Sequence, residues 1–281
     1  MRCLIVAACF YMLSAQAQQL PNADIYLFEV QSNENQEIQL SEPVALADSV
    51  YYENQPYFID DERLVFTRDN GSNTDIWQWH NGTLTVLSET PESEYSPTPI
   101  PTYPSSLSMI RVEDDGTQRL WKRNGKGQFD LLFQDIKPVG YHVWRGNNVA
   151  MFILGEPHRL EVTRVGKEAT QVIDQNIGRC LQKVPERRAI SYTVADEQHV
   201  LKSYDFQAKK VSVLGTLPQG AQDYIWLSET HLLASAGEHL LVGQLGATIE
   251  WQALSVTLPK GALSRLALSP NKKRLALVVS P

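Results

Sequence analysis

Cysteine is scarce in this sequence of 281 residues, which contains only three. Cys3 and Cys9 lie within residues 1–17, so a chain that loses this segment keeps Cys180 alone. A single cysteine cannot form a disulfide within its own chain, and the fold must therefore depend on burial of apolar side chains. Cys180 follows Arg179, whose charge favours a reactive thiolate, but a small buried core residue is the interpretation we favour.

Basic residues are also few, with 25 Lys and Arg against 32 Asp and Glu, which gives a net charge of −7. This balance argues against a general nucleic-acid-binding protein, which needs a basic excess to neutralise phosphates. Beyond residue 17 no segment approaches the roughly twenty consecutive apolar residues that a membrane-spanning helix requires. We therefore predict no nucleic-acid partner and no membrane span.

The first seventeen residues have the features of a secretory signal. Arg2 supplies a positive start, residues 4–13 are mostly apolar, and Ala15-Gln16-Ala17 is a small-x-small cleavage site. A lipoprotein box ending at Cys9 is the alternative, but the apolar run before it is too short. We expect cleavage after Ala17, a periplasmic or secreted location, and a single domain over residues 18–281.

Familiar catalytic motifs are missing as well. The sequence contains no Gly-x-Ser-x-Gly and no His-Glu-x-x-His, and its only Gly-x-Gly segment follows Asn124 as a turn. Residues 69–75 offer alternating oxygen ligands like a calcium loop, but the twelfth position is His80 where such a loop needs Glu. A polar hairpin turn is the favoured interpretation. We predict no catalytic residue, no metal site and no cofactor.

Short β-type runs fill the remainder of the chain. They are separated by Asn-Gly and Asp-Gly pairs, which supply the positive φ angles of tight hairpin turns. These pairs begin at Asn70, Asn81, Asp115 and Asn124. Because long amphipathic helical patterns are missing, the sequence predicts an all-β protein.

An internal repeat selects one all-β architecture. Its third strand begins near Asp75, Arg119, Arg159, Leu201 and Leu240, at spacings of 44, 40, 42 and 39 residues. A period of about 40–45 residues with four strands per unit is typical of a β-propeller. The last unit has two strands, at 264–268 and 274–279, and residues 24–30 and 37–40 supply the other two. We predict six blades, with both termini sharing one blade; a β-sandwich is the alternative.

The innermost strand of each blade lines the axis of a propeller. Aligning the repeats places six residues near equivalent positions at the channel mouth: Gln55, Ser96, His142, Arg179, Tyr224 and Arg265. Tyr141 and Trp144 flank His142, and Trp144 could serve as a stacking platform. Two guanidinium groups in one ring could hold an anionic peptide terminus or an acidic sugar. The alternative is a channel filled by water and polar side chains without a binding role.

The segment from Ser269 to Ala276, Ser-Pro-Asn-Lys-Lys-Arg-Leu-Ala, resembles the Ser-Pro-Asp-Gly-Lys signature of TolB-like, or PD40 (WD40-like), propeller repeats. Asn-Lys replaces Asp-Gly at its turn. The segment from Asp75 to Trp79 is similar to the Asp-Ile-Tyr/Trp strand of the same repeats. The resemblance implies a six-bladed propeller, a cell-envelope location and protein partners, and it implies no reaction.

These observations together favour an exported, non-enzymatic propeller that acts as a binding or scaffolding module through its channel mouth. We expect an envelope protein or peptide as the partner, with an acidic small molecule or saccharide as a further possibility, and a monomeric state. The alternative function is a lyase or hydrolase acting on an acidic saccharide, because related propellers host such chemistry.

Overall fold

The computed structural model describes residues 20–33, 37–47, 50–197 and 199–281. The expected signal segment, residues 1–17, lies outside this part of the chain. The described residues form twenty-five β-strands and no helix. Accordingly, no helix in the described residues is long and apolar enough to cross a membrane.

Six antiparallel sheets form the six blades of a propeller. The innermost strands are β4 (Glu53–Phe58), β8 (Ser93–Pro99), β12 (Val139–Arg145), β16 (Ile177–Lys183), β20 (Ala221–Trp226) and β24 (Ala262–Leu268). The second strands are β5 (Arg63–Asp69), β9 (Leu107–Val112), β13 (Asn148–Ile153), β17 (Ala189–Val194), β21 (His231–Ala236) and β25 (Arg274–Ser280).

The two outer positions of each blade are filled by shorter or more exposed strands. The third strands are β6 (Thr74–His80), β10 (Gln118–Arg123), β14 (Arg159–Arg164), β18 (Val200–Asp205), β22 (His239–Leu245) and β1 (Asp24–Ser32). The outermost strands are β7 (Thr83–Val86), β11 (Phe129–Leu131), β15 (Gln171–Gln175), β19 (Lys210–Thr216), β23 (Ile249–Ala253) and β2 (Ile38–Leu40). The short β3 (Val44–Ala45) pairs with β1. Blades are numbered one to six from the β4 sheet to the β24 sheet.

Blade six combines strands from both ends of the chain, as the sequence predicts. β1 pairs antiparallel with β25 over six residue pairs, from Asp24↔Val279 to Glu29↔Arg274. Ile25 and Phe28 of β1 are fully buried in the apolar layers on either side of the blade. The ring is thus closed by backbone hydrogen bonds and by core packing, and no open sheet edge separates the first blade from the last.

Apolar layers between neighbouring blades form the core. Leu64 and Phe66 of blade one pack with Ile25 and Val278 of blade six, for example. Each buried side chain of this size contributes about 1.5–3 kcal/mol of transfer free energy. Because every blade faces two neighbours, both faces of its second strand are apolar, which explains the continuous hydrophobic runs of β13 and β25.

Blades one and two each bury a glutamate beside an arginine that stacks on tryptophan. Glu53 is 3.3 Å from Arg68, whose guanidinium lies 4.8 Å from the ring centroid of Trp77. Glu94 is likewise 3.3 Å from Arg111, whose guanidinium lies over Trp121. Burial raises the pKa of both carboxyl groups to about 7 despite the nearby arginines.

The raised pKa values of Glu53 and Glu94 predict that the free energy of unfolding falls as the pH rises. An unfolded glutamate loses its proton near pH 4.5, whereas Glu53 and Glu94 keep theirs in the folded state up to about pH 7. Their stabilising contribution is complete below pH 4.5 and is lost as the pH rises through 7. The double change Glu53→Gln and Glu94→Gln should flatten this decline in melting temperatures measured from pH 5 to 8. Exposed Glu186→Gln is the control; an unchanged slope in the double variant would contradict the assignment.

Candidate functional site

A shared irregularity in the inner strands creates a ring of polar side chains at the axis. β4, β8 and β24 each shift register at a non-glycine residue with positive φ: Gln55 at 56°, Ser96 at 55° and Arg265 at 39°. Such φ values are uncommon outside glycine and mark a bulge that re-aims the side chain. The strands β12, β16 and β20 are irregular at the same level, where Tyr141, Arg179 and Asp223 occupy the corresponding positions.

Five of the eight residues predicted from the sequence belong to this ring: Gln55, Ser96, Tyr141, Arg179 and Arg265. They line one cavity of about 110 Å³ on the axis, together with Asp223. Gln55 is held by its neighbours, since its Oε1 accepts hydrogen bonds from the Ser96 backbone at 2.8 Å and from Thr67 Oγ1 at 3.0 Å. The Ser96 hydroxyl has no partner among the described residues.

His142 and Trp144 lie between blades two and three rather than at the mouth. The Nε2 atom of His142 hydrogen-bonds with Ser108 Oγ at 2.7 Å, and Trp144 Nε1 donates to the same oxygen at 2.8 Å. Trp144 is fully buried, and the buried His142 also lines the axial cavity. Burial lowers the pKa of His142 to about 3, so the imidazole is neutral and a weak base at physiological pH.

Tyr224 repeats this arrangement between blades four and five. Its hydroxyl donates to Ser191 Oγ at 2.8 Å, and Trp226 Nε1 donates to the same oxygen at 2.9 Å. Tyr224 borders the axial cavity, but its side chain is fully buried. The lone Cys180 is buried too, and burial raises its pKa to about 12, in agreement with a core residue.

Asp223 is the site residue that the sequence alignment missed. Its Oδ2 accepts a hydrogen bond from Arg179 at 2.7 Å, and its Oδ1 accepts one from Arg265 at 3.3 Å. Arg265 also donates to the Tyr141 hydroxyl at 2.7 Å. Although burial opposes ionisation, the positive charges of Arg265 and Arg179 hold the pKa of Asp223 below its usual value. The carboxylate is therefore charged, and two guanidinium groups share it.

Two contacts cross the axis and divide the channel. Arg265 of blade six reaches Tyr141 of blade three on the opposite side, as described above. At a second level Lys183 of blade four donates to the Tyr57 hydroxyl of blade one at 2.6 Å. Polar side chains from opposite blades therefore meet across the axis at two places.

The mouth at the start of the inner strands is a cavity of about 450 Å³. Tyr141, Arg179, Asp223 and Arg265 form its floor, and this set is called the floor network below. Asp223 is the only acidic residue that lines this cavity among the described residues, so the floor carries a net charge of +1. Arg179 is 35% exposed, against 14% for Arg265 and 4% for Asp223, which makes Arg179 the accessible cation.

The segment from Asp69 to Asp75 uses its oxygens within its own turn. Asn70 donates to Asp75 Oδ2 at 2.7 Å, and Asn70 Oδ1 accepts from the backbone amides of Ser72 and Asn73. In the described part of the chain, no three His, Cys, Asp or Glu residues are grouped so that they could hold a metal ion.

Comparison with solved structures identifies the fold class. A structure described as TolB from Agrobacterium tumefaciens superposes with a TM-score of 0.68 over 93% of this chain and 99% of its own, at 9% identity. A gluconolactonase from Xanthomonas campestris, XC5397, gives 0.64 over 96% and 99% at 11% identity. An oligogalacturonate lyase in complex with manganese gives 0.58 over 90% and 82% at 12% identity.

The chain therefore has the six-bladed propeller fold of TolB-like proteins, which confirms the fold predicted from the sequence. A scan of family models and a search of curated proteins found no match. At identities of 9–12% these likenesses establish the fold alone. Function must be argued from the site itself.

Proposed function

We propose that this protein is an exported, non-enzymatic binding module that holds a negatively charged group of a protein or peptide partner at the channel mouth. The observation that carries the proposal is the floor network, in which two guanidinium groups share one carboxylate. One positive charge is left without a counter-charge at the bottom of an open cavity.

The charge distribution supports an anionic ligand. The whole chain carries a net charge of −7, whereas the floor of the mouth is positive. An anion would therefore be attracted to the floor rather than to the remainder of the surface. Arg179 keeps one Nη2 bond to Asp223, while its Nε has no partner among the described residues. A carboxylate arriving at this guanidinium would form charge-assisted hydrogen bonds, which are stronger than neutral ones.

The expected partner is an envelope protein or peptide. The signal-like segment at residues 1–17 and the TolB-like resemblance support a periplasmic or secreted location, where such a partner would be met. The mouth, about 450 Å³ in volume, lies within the range of about 300–1,000 Å³ typical of ligand pockets. It admits a chain terminus or a side chain rather than a folded surface.

Arg179→Ala is expected to abolish partner capture without loss of folding. The protein would be crosslinked in intact cells and its captured partners identified for the wild type and the variant. Arg179 is partly exposed and Asp223 keeps Arg265 as its partner, so removal of Arg179 should leave the melting temperature within a few degrees of the wild type. Arg164→Ala is the matched control, because Arg164 is an exposed arginine at the end of β14. Equal capture by the wild type and Arg179→Ala would contradict the proposal.

Catalysis on an acidic saccharide is the second candidate, and the neighbours described as an oligogalacturonate lyase and a gluconolactonase favour it. A positive mouth would also attract a uronate. A general base needs a pKa near the working pH, whereas burial holds the pKa of His142 at about 3. Incubation with oligogalacturonate, monitored by the ultraviolet absorbance of an unsaturated uronate, tests this candidate. Product formed by the wild type and lost in Arg179→Ala would replace the binding proposal.

A further inference from the structure

A second cavity of about 310 Å³ opens beside the mouth, between blades three and four. This cavity, the side pocket, is bordered by Tyr141, Phe152, His158, Ile177, Gly178, Thr193 and Ala195, and also by the polar side chains of His199 and Gln222. Arg179 and Tyr141 line both the side pocket and the mouth. A ligand that contacts Arg179 therefore has direct access to the side pocket.

Gly178 and Thr193 are packed closely together on one side of the pocket. A Cβ atom at position 178 would lie 2.2 Å from Thr193 Oγ1, so a larger residue there would force the Thr193 side chain to move. The opposite wall is aromatic, because the Phe152 ring contacts the Tyr141 ring at 5.7 Å and the His158 ring at 4.7 Å, measured between centroids. The pocket thus combines an apolar aromatic wall with a cation at its edge.

We propose that the side pocket takes the apolar side chain of a ligand's carboxyl-terminal residue while Arg179 binds the terminal carboxylate. The inference rests on the proposed function and names its ligand class: a peptide or protein that ends in an aromatic or branched apolar residue. In such a residue the carboxylate and the side chain leave the same carbon atom. This arrangement matches a guanidinium placed at the rim of an apolar cavity.

The lining of the pocket favours a peptide terminus over a saccharide. Each buried sugar hydroxyl needs a hydrogen-bond partner, and an unpaired polar group costs about 1–3 kcal/mol. Whereas the polar side chains of Thr193, His199 and Gln222 lie on the rest of the border, the wall formed by Tyr141 and Phe152 presents ring faces and edges. An apolar side chain gains from the same surface, because it leaves water without losing hydrogen bonds.

Three labelled peptides with one neutral Gly-Ser body test the proposal by fluorescence anisotropy. They end in phenylalanine with a free carboxylate, in phenylalanine amide, or in glycine with a free carboxylate. The wild type should bind the first at least tenfold more tightly than either of the others. Arg179→Ala should reduce binding of the first peptide to the level of the amide.

A pocket-filling variant separates the side pocket from the cation. Ala195 is exposed at the rim, and Ala195→Trp should remove the preference for phenylalanine while Arg179-dependent binding of both free acids persists. Ala247→Trp, in the exposed turn between β22 and β23, is the matched control and should bind like the wild type. Melting temperatures verify that both tryptophan variants are folded.

The outcomes distinguish the two proposals. If both free acids bind equally and depend on Arg179, the side-pocket inference is overturned and the anion-binding function stands. If no free acid binds in an Arg179-dependent way, the inference is again overturned, and the crosslinking result alone decides the proposed function. Tight binding of the phenylalanine amide would overturn the role assigned to Arg179.

Discussion

Deletion of residues 24–40 is expected to abolish cooperative folding. The deletion removes β1 and β2, so that β25 loses all six of its residue pairs with β1 and becomes an open sheet edge. It also removes the buried side chains of Ile25 and Phe28 from the layers on both faces of blade six. Losses of this size are comparable to the roughly 5–15 kcal/mol by which a typical domain is stable. Circular dichroism during heating should show no sigmoidal transition.

A graded variant keeps this prediction testable. Phe28→Ala should lower the free energy of unfolding by about 3–5 kcal/mol and still unfold cooperatively. Val44→Ala, at a position 63% exposed in β3, is the control and should change it by less than about 0.5 kcal/mol. A cooperative melt of the 24–40 deletion at a near-native temperature would disprove the closure of the ring by β1.

Asp223→Ala should destabilise the protein by about 3–5 kcal/mol, because it leaves the guanidinium groups of Arg179 and Arg265 close together without a counter-charge. Chemical denaturation measures this loss directly. The folded-state pKa of Asp223 is lowered, so its contribution is complete above the unfolded value of 3.8 and disappears as the pH falls through the folded value. The difference between wild type and variant should therefore shrink in acid.

Asp130→Ala provides the matched comparison. Asp130 pairs with Lys122 at 3.1 Å but is 59% exposed, and surface pairs of this kind contribute at most about 1 kcal/mol. A loss in Asp223→Ala no larger than that in Asp130→Ala would show that the floor network does not depend on its carboxylate. A difference that persists unchanged at low pH would be equally contrary to the prediction.

The fold could be predicted well from the sequence because each blade repeats the same pattern of short β-strands. The third strands expected near Asp75, Arg119, Arg159, Leu201 and Leu240 begin in the structure at, or one residue before, those positions. Asn-Gly and Asp-Gly turns mark the hairpins of blades one and two, and the period near 40 residues extends over five third strands, so an error in one unit is corrected by the others. The pairing of both termini followed from the incomplete last unit.

The site was predicted less accurately, and the bulges explain why. Side chains alternate faces along a strand, so a slip of one residue moves a side chain from the channel to the core. The sequence placed His142 and Tyr224 at ring positions that Tyr141 and Asp223 occupy. Positive φ in a sequence is usually indicated by glycine. Because the bulge positions such as Gln55 are not glycine, the sequence gives no sign of their positive φ. The available signal for Asp223 was the presence of two arginines, Arg179 and Arg265, in one ring, because neighbouring positive charges need an acidic partner.

The shared sixth blade also sets an order of events during synthesis. Among the described strands β1 is synthesised first, whereas its main partner β25 is synthesised last. Until β25 has been synthesised, β1 lacks the strand with which it pairs over six residues, and blade six cannot form. Closure of the ring then depends on a contact between strands that are far apart in the sequence, and contacts of this kind slow folding most. The ring therefore closes only after the strands of all six blades have been synthesised.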